Sequence, residues 1–181
     1  MRDTLVRICV TGPESTGKTT LARRLAEWAN TEWVPEAART YAERHGATLT
    51  AEDVGPIARE HISLADAAAD RARARGASML VLDTDLLSTV VYARHYYGSL
   101  PRWVEKEERA RRASLYLLCD VDVPWVADGI RDRPAARDAL FGEFAEALER
   151  RLASVVCVRG SWDERWRIAL DAVRRRVERS P

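Results

Sequence analysis

Lysine is almost missing from this sequence. Its 29 basic residues are arginine except at Lys18 and Lys106, which a general coding preference for arginine explains without reference to function. The charges nearly cancel, to a formal net charge of +1, so no overall basic field draws the chain to nucleic acid. The short basic runs "RARAR" (71–75) and "RRR" (174–176) fall in helix-like, charge-rich segments and read as solvated faces. Cysteine is scarce: Cys9, Cys119 and Cys157 are an odd number, and none belongs to a C-x-x-C. Each falls in a short apolar run, which predicts three reduced, buried, structural thiols and agrees with a cytoplasmic setting. His45, His61 and His95 share no metal-ligand spacing and read as surface or helix-packing residues. No apolar run approaches a membrane span, and "MRDTLVRICV" meets a Gly-rich turn too soon for a signal peptide. There is no repeat and no low-complexity linker. What remains is one domain of 181 residues, 46% hydrophobic and 31% charged, long enough to bury a core without crosslinks.

One of the two lysines stands in "GPESTGKTT" (12–20). This stretch fits G-x-x-x-x-G-K-[ST], with Gly12, Gly17, Lys18 and Thr19 in the fixed places. The β-branched run "LVRICV" (5–10) before it reads as a strand. "KTTLARRLAEWAN" (18–30) after it places Leu21, Leu25 and Trp28 at helical spacing. Strand, loop and helix in that order are the context that marks a phosphate-binding loop. Residues Gly12, Pro13, Glu14, Ser15, Thr16, Gly17 and Lys18 are expected to wrap the phosphates as an anion nest. The helix N-terminus, with Thr19 and Thr20, completes it. Lys18 then reaches the β- and γ-phosphates, where a compact ammonium suits better than a planar guanidinium, and the Thr19 hydroxyl binds Mg²⁺.

Four further apolar runs, at 31–36, 78–85, 114–122 and 154–158, read as strands. Helices are expected at 37–46, from Thr50 to Arg75, after Asp85, near 103–112, at 136–152 and at 162–179. Thr50 and Asp53 offer a cap, and Gly55-Pro56 blurs the start of the long helix. Five strands alternating with helices predict an α/β fold: a parallel sheet covered on both faces. Ligands bind such sheets beyond the carboxyl ends of the strands. The stretches 12–19, 36–39, 83–85 and 122–133 each follow a strand and so can converge there.

"VLDTD" ends its strand in two carboxylates. Asp83 fits a Walker-B acid that holds Mg²⁺ directly or through water. Asp85, two residues on, faces the same side if the chain stays extended, and could take the proton of a substrate hydroxyl. It could equally be a plain helix N-cap. In "PEAAR", Glu36 could grip a sugar diol or act as base and Arg39 could contact substrate or phosphate. A capping acid on a surface helix is the other reading. "ADGIRDR" offers Asp128, Arg131 and Arg133 in a loop flanked by Pro124 and Pro134, which suits a lid closing over the γ-phosphate, or else a solvated loop. Tyr92, Tyr96, Tyr97, Trp103 and Trp125 supply aromatic faces. Most are expected in the core, with one or two free to stack on a planar base.

Together, "GPESTGKTTLARRLA", "PEAAR", "LDTD" and above all "PWVADGIRDR" resemble the ribosylnicotinamide kinase domain of NadR-type regulators of NAD biosynthesis, and related stand-alone P-loop ATPase/kinase proteins. The resemblance covers residues 5–175. It implies a single P-loop kinase domain with sheet order 2-3-1-4-5, a substrate-binding helical insert at about 37–76 and a lid at about 123–136. It implies ATP and Mg²⁺ as cofactors and transfer of the γ-phosphate to the 5′-hydroxyl of nicotinamide riboside. Lys18, Asp83, Asp85 and Arg131 would be catalytic, Arg133 would bind the nucleotide, and Glu36, Arg39, Asp85, Trp125 and Asp128 would bind the nucleoside. The DNA-binding and adenylyltransferase parts of such regulators have no place before a P-loop at residue 12, so neither role is expected. Another nucleoside as substrate, or a nucleotide-gated ATPase module without an acceptor, are the competing readings. The roughly 65 residues between Lys18 and Asp83 favour a kinase, being long enough to build a substrate-holding face.

Overall fold

The structure is a computed structural model and describes residues 5–46, 48–125 and 136–179. Short apolar runs set its centre. β1 (Val6–Thr11), β2 (Trp33–Val34), β3 (Met79–Asp83), β4 (Leu115–Cys119) and β5 (Val155–Val158) form one sheet in the order β2-β3-β1-β4-β5. All four pairings are parallel, with Val10 opposite Asp83 and Cys9 opposite both Leu82 and Tyr116. Between the strands lie α1 (Lys18–Trp28), α2 (Ala37–His45), α3 (Val54–Ala74), α4 (Leu86–Tyr97), α5 (Arg102–Ala110) and α6 (Arg137–Arg150), and α7 (Trp162–Glu178) closes the chain.

Alternation along the strands decides which helix covers which face. Val6, Ile8, Val10, Val81, Leu117 and Cys119 pack with Leu21, Leu25, Ala169 and Val173 of α1 and α7. The residues between them, Cys9, Leu80, Leu82, Tyr116 and Leu118, pack with Ala68, Leu87, Val91 and Phe144 of α3, α4 and α6. The central strands are buried on both faces, so they read as unbroken apolar runs. The expected parallel α/β sheet and its order are therefore observed. A smaller cluster of Ala37, Ala38 and Ile57, with Tyr41 and Leu49, joins α2 to α3.

Local chemistry fixes the helix starts. Thr50 and Asp53 form a capping box on a 3-10 turn (Ala51–Asp53) that runs into α3. Pro56 sits in the first turn of α3, where its missing N–H has no intrahelical partner to lose. The basic runs do lie outside: Arg71 and Arg75 pair with Glu32, and Arg174 lies over the Trp28 ring. Among the described residues no helix is long and apolar enough to cross a membrane.

One expectation fails. Cys9 and Cys119 are free and buried, but Cys157 is free and exposed. It lies on edge strand β5, and the helices over its face cluster on Tyr116 and Leu118 of β4, with no β5 residue among them.

His61 on α3 is buried. Burial first, then the Arg7 and Arg111 charges, push its imidazole down to about 4. The unfolded imidazole takes a proton below about 6.5. Stability present above that pH is therefore lost as pH falls toward 4, by up to about 1.4 kcal/mol per unit from this residue. Thermal unfolding from pH 7 to 4 should show that loss in the wild type and lack it in His61→Leu. Identical pH slopes would refute the assignment.

Candidate active site

The loop between β1 and α1 is shaped by close approach. Gly12, at φ 131°, runs so near β4 that a Cβ would sit 2.8 Å from the Cys119 carbonyl oxygen. Ser15 and Gly17 are both left-handed, at φ 52° and 79°. With Thr16 between them the backbone alternates in hand, the pattern that turns successive N–H groups to one side as an anion nest. The Lys18 ammonium is buried at the loop and donates to the Pro13 carbonyl at 2.6 Å, and the Thr16 hydroxyl donates to the same oxygen at 2.8 Å.

Asp83 ends β3 beside this loop. The Thr19 hydroxyl donates to Asp83 Oδ2 at 2.6 Å. Oδ1 is buried and has no hydrogen-bond partner among the described residues. Burial, then the negative charge of Glu36, raises this carboxyl to about 6, while the Thr19 hydroxyl and the Lys18 and Arg39 charges pull it back. Glu36 stands at the N-cap position of α2 and Arg39 one turn on, with Nε 3.9 Å from the Glu36 carboxylate. The expected gathering of Lys18, Thr19, Asp83, Glu36 and Arg39 at the carboxyl ends of the strands is what the structure displays. An orphaned buried carboxylate oxygen and a hydroxyl, with a second carboxylate near, are the hard oxygen donors that Mg²⁺ takes. The described residues contain no cluster of three or more His, Cys, Asp or Glu that could hold a metal alone.

Asp85 does not face this group, which corrects the extended reading. Thr84 is left-handed, at φ 65°, so the strand's alternation breaks before Asp85. Asp85 is 5% exposed. Its Oδ1 accepts the Leu87 N–H at 3.0 Å as the N-cap of α4, and Oδ2 accepts the Tyr116 hydroxyl at 2.8 Å. Burial raises it to about 6, and these two bonds oppose the rise. The carboxylate is committed to the core face of the sheet.

Trp125 is half-buried at the end of the described segment. Asp128, Arg131 and Arg133 lie outside the described residues. Among the candidate aromatics, Tyr92 donates its hydroxyl to Glu14 of the phosphate loop at 2.9 Å. Tyr97 donates to the Leu49 carbonyl, and Trp103 lies under Arg59.

Sequence reasoning missed three side chains here. Trp162, first residue of α7, lies so close to Gly17 that a Cβ there would come within 2.6 Å of its ring. With Thr20, Leu21 and Arg24 it lines a cleft of about 80 Å³ beside the loop. Arg137 and Arg165 are buried and touch the loop's own carbonyls. A signal existed for Arg165, because Ser161 and Glu164 form a capping box that fixes the start of α7 at the loop. A hollow of about 480 Å³ lined by Leu5, Arg7, Arg111 and Ser114 opens at the amino ends of the strands, away from all these groups.

Comparison with known proteins agrees with this geometry. A family described as "AAA domain" matches residues 7–165. The trifunctional NAD biosynthesis/regulator protein NadR of Escherichia coli is 30% identical over 135 residues, 72% of this chain and 32% of its own length. The NadR of Salmonella typhimurium matches equally. The chain thus spans about a third of these relatives. A crystal structure of a NadR protein in complex with NR superposes with a TM-score of 0.70 at 27% identity, covering 97% of this chain and 52% of that one. Another, in complex with NAD and AMP-PNP, gives 0.72 at 26% identity, covering 98% and 51%. Thymidylate kinase from Ehrlichia chaffeensis, at 12% identity and a TM-score of 0.66 over 93% of this chain and 97% of that one, shares the fold.

The two aspartates should separate cleanly. Asp83→Asn should weaken Mg²⁺-dependent nucleotide binding at least tenfold and leave the melting temperature nearly unchanged. Asp85→Ala should cost about 1 kcal/mol of stability, as removal of an N-cap does, and leave nucleotide affinity within twofold. Calorimetric titration with melting curves on both variants checks this, and a reversed pattern would exchange their roles.

Proposed function

The chain belongs to the AAA domain family of P-loop proteins, and on that premise we propose that it is a cytoplasmic ATP-dependent kinase. Its proposed reaction converts nicotinamide riboside to nicotinamide mononucleotide. One arrangement carries the reading most: α2 and α3, with their own small core, stand in the chain between the phosphate loop and Asp83 and bring a second carboxylate, Glu36, close enough to raise that acid by its charge. Kinase and ATPase alike need a group that orients the attacking oxygen or takes its proton. Glu36 is proposed to do so for an acceptor hydroxyl, and the insert is the face that would hold the acceptor.

In this account the nest and Lys18 hold the β- and γ-phosphates. Asp83 and Thr19 would hold Mg²⁺, whose chemistry there would be to neutralise charge on the phosphate oxygens. The acceptor's 5′-oxygen attacks the γ-phosphorus, the bond to the β-phosphate oxygen breaks, ADP leaves, and the hydroxyl proton passes to the Glu36 carboxylate. Arg39 lies 3.9 Å from the Glu36 carboxylate and is proposed to steady it and to contact substrate or phosphate. Arg131 and Arg133 of the lid at about 123–136 are proposed to screen the transferring phosphoryl group. Trp125 and Asp128 are proposed to meet the nucleoside. The α2–α3 insert, with its own small core, is the proposed acceptor wall. The cleft beside Gly17 and Trp162 offers a planar face for the nucleotide base.

The relatives support the acceptor: the matched NadR structures contain NR in one case and NAD with AMP-PNP in the other. A pyridinium is cationic, and an aromatic face favours it by about 0.5–2 kcal/mol. Buried carboxylates nearby add to that preference. At equal ATP, kcat/KM should therefore be at least tenfold higher for nicotinamide riboside than for uridine, and Glu36→Gln should lower kcat by two orders of magnitude or more. A preference for uridine would move the acceptor to another nucleoside. Turnover of ATP with neither acceptor phosphorylated would make the protein an ATPase.

A further inference from the structure

We propose that Arg137 and Arg165 are positioning residues that clamp the phosphate loop from behind and fix the direction of its donor N–H groups. The inference rests on the reading that this loop holds nucleotide phosphates. The two arginines come from different helices, α6 and α7, yet grip consecutive carbonyls of the loop. Arg137 Nη2 donates to the Ser15 carbonyl at 3.3 Å, and Arg165 Nη1 donates to the Thr16 carbonyl at 3.2 Å. Arg165 anchors its other nitrogens on residues after β4 and after β5, while Arg137 shares the one Nη2 between the loop and the segment after β4. Arg137 also meets the Val121 and Val123 carbonyls at 3.4 and 3.1 Å. Arg165 meets the Asp120 carbonyl at 3.0 Å, the Gly160 carbonyl at 3.0 Å and the Asp122 carboxylate. Their side chains are buried, with Arg165 2% and Arg137 8% exposed as residues.

Peptide geometry makes this grip directional. In a trans peptide the C=O of one residue and the N–H of the next point opposite ways. Holding the Ser15 carbonyl outward therefore holds the Thr16 N–H inward, and holding the Thr16 carbonyl outward does the same for the Gly17 N–H. Ser15 at φ 52° needs such a hold, because a residue with a side chain enters the left-handed region at a cost that glycine escapes. A positive charge behind each peptide also polarises it, strengthening the inward N–H as a donor to phosphate. Arginine suits the task at 165 because its planar fork serves acceptors through Nε, Nη1 and Nη2 at once, where a lysine ammonium reaches fewer in fixed geometry; Arg137 brings its charge and a single nitrogen, Nη2, to the loop. Neither residue touches the reacting atoms in this arrangement. Both join the loop to residues 120–123, immediately before the proposed lid.

The test is calorimetric titration of Mg-ADP into Arg137→Met and Arg165→Met, with the lysine variants and thermal melts alongside. The clamp predicts at least tenfold weaker Mg-ADP binding in each methionine variant at normal stoichiometry. Each lysine variant should fall between its methionine counterpart and the wild type. In turnover, KM for ATP should rise while KM for the acceptor stays within twofold. A merely structural role would lower the melting temperature and the fraction of binding-competent protein without changing the dissociation constant of what remains folded. Affinity within twofold of wild type in both methionine variants would overturn the clamp. If a methionine variant does not fold, its lysine variant decides: weakening of threefold or more supports the clamp, and unchanged affinity overturns it. A wild type that fails to bind Mg-ADP would overturn the nucleotide reading and the clamp with it, and that failure is visible before any variant is made.

Discussion

Everything at this site depends on the register of two neighbouring strands. Val10 of β1 pairs with Asp83 of β3, so the acid arrives level with the end of the strand that launches the phosphate loop. The Thr19 hydroxyl, from the first turn of α1, can then meet Asp83 Oδ2 at 2.6 Å. A slip of one residue would turn Asp83 toward the α3–α4–α6 face and bring Leu82 to the loop. The slip is opposed by the alternating apolar residues of β3, half of which belong to each core cluster. Packing of the hydrophobic core thus places the polar contact, and the chemistry inherits its accuracy from that packing.

A second constraint is charge in a confined space. Asp83 is buried, one of its oxygens lacks a partner among the described residues, and Glu36 is close enough to disfavour its ionisation. Two carboxylates held so near one another want a cation between or beside them, and Lys18 and Arg39 answer that need only in part. On the proposed reading, a divalent ion carrying an anionic ligand would meet that need. Asp85 is buried and its carboxyl is raised as Asp83's is, but its oxygens are spent on Leu87 and Tyr116. A shifted carboxyl therefore has to be judged by what its oxygens touch.

Much of this was legible in the residues. The G-x-x-x-x-G-K-T loop, the acid ending β3 and the Glu36–Arg39 pair all stand where strand ends put them, because position in a parallel sheet follows from apolar patterning alone. Of the two readings open for Asp85 the N-cap is the one observed, and the base reading needed an extended chain, which nothing in "DTD" contradicts although Thr84 takes φ 65°. A threonine is a poor candidate for the left-handed region. Cys157 was misread because its apolar run was taken as buried although the expected order already put that strand at an edge, where a side chain can lie open to solvent. Arg137 and Arg165 were hidden among 27 arginines. Their roles lie in contacts to backbone carbonyls more than 100 residues away; the Ser161–Glu164 box marks where α7 begins, but no local pattern names the carbonyls these arginines reach.

The central claim is that this loop-and-carboxylate site moves a phosphoryl group onto a nucleoside hydroxyl. Phosphorus NMR of the protein with Mg-ATP and nicotinamide riboside tests it most directly. The account predicts that ATP signals give way to ADP and an equal amount of a new phosphomonoester, split into a triplet by the two protons on the 5′-carbon. ADP accompanied only by inorganic phosphate, or ATP left intact, would contradict it.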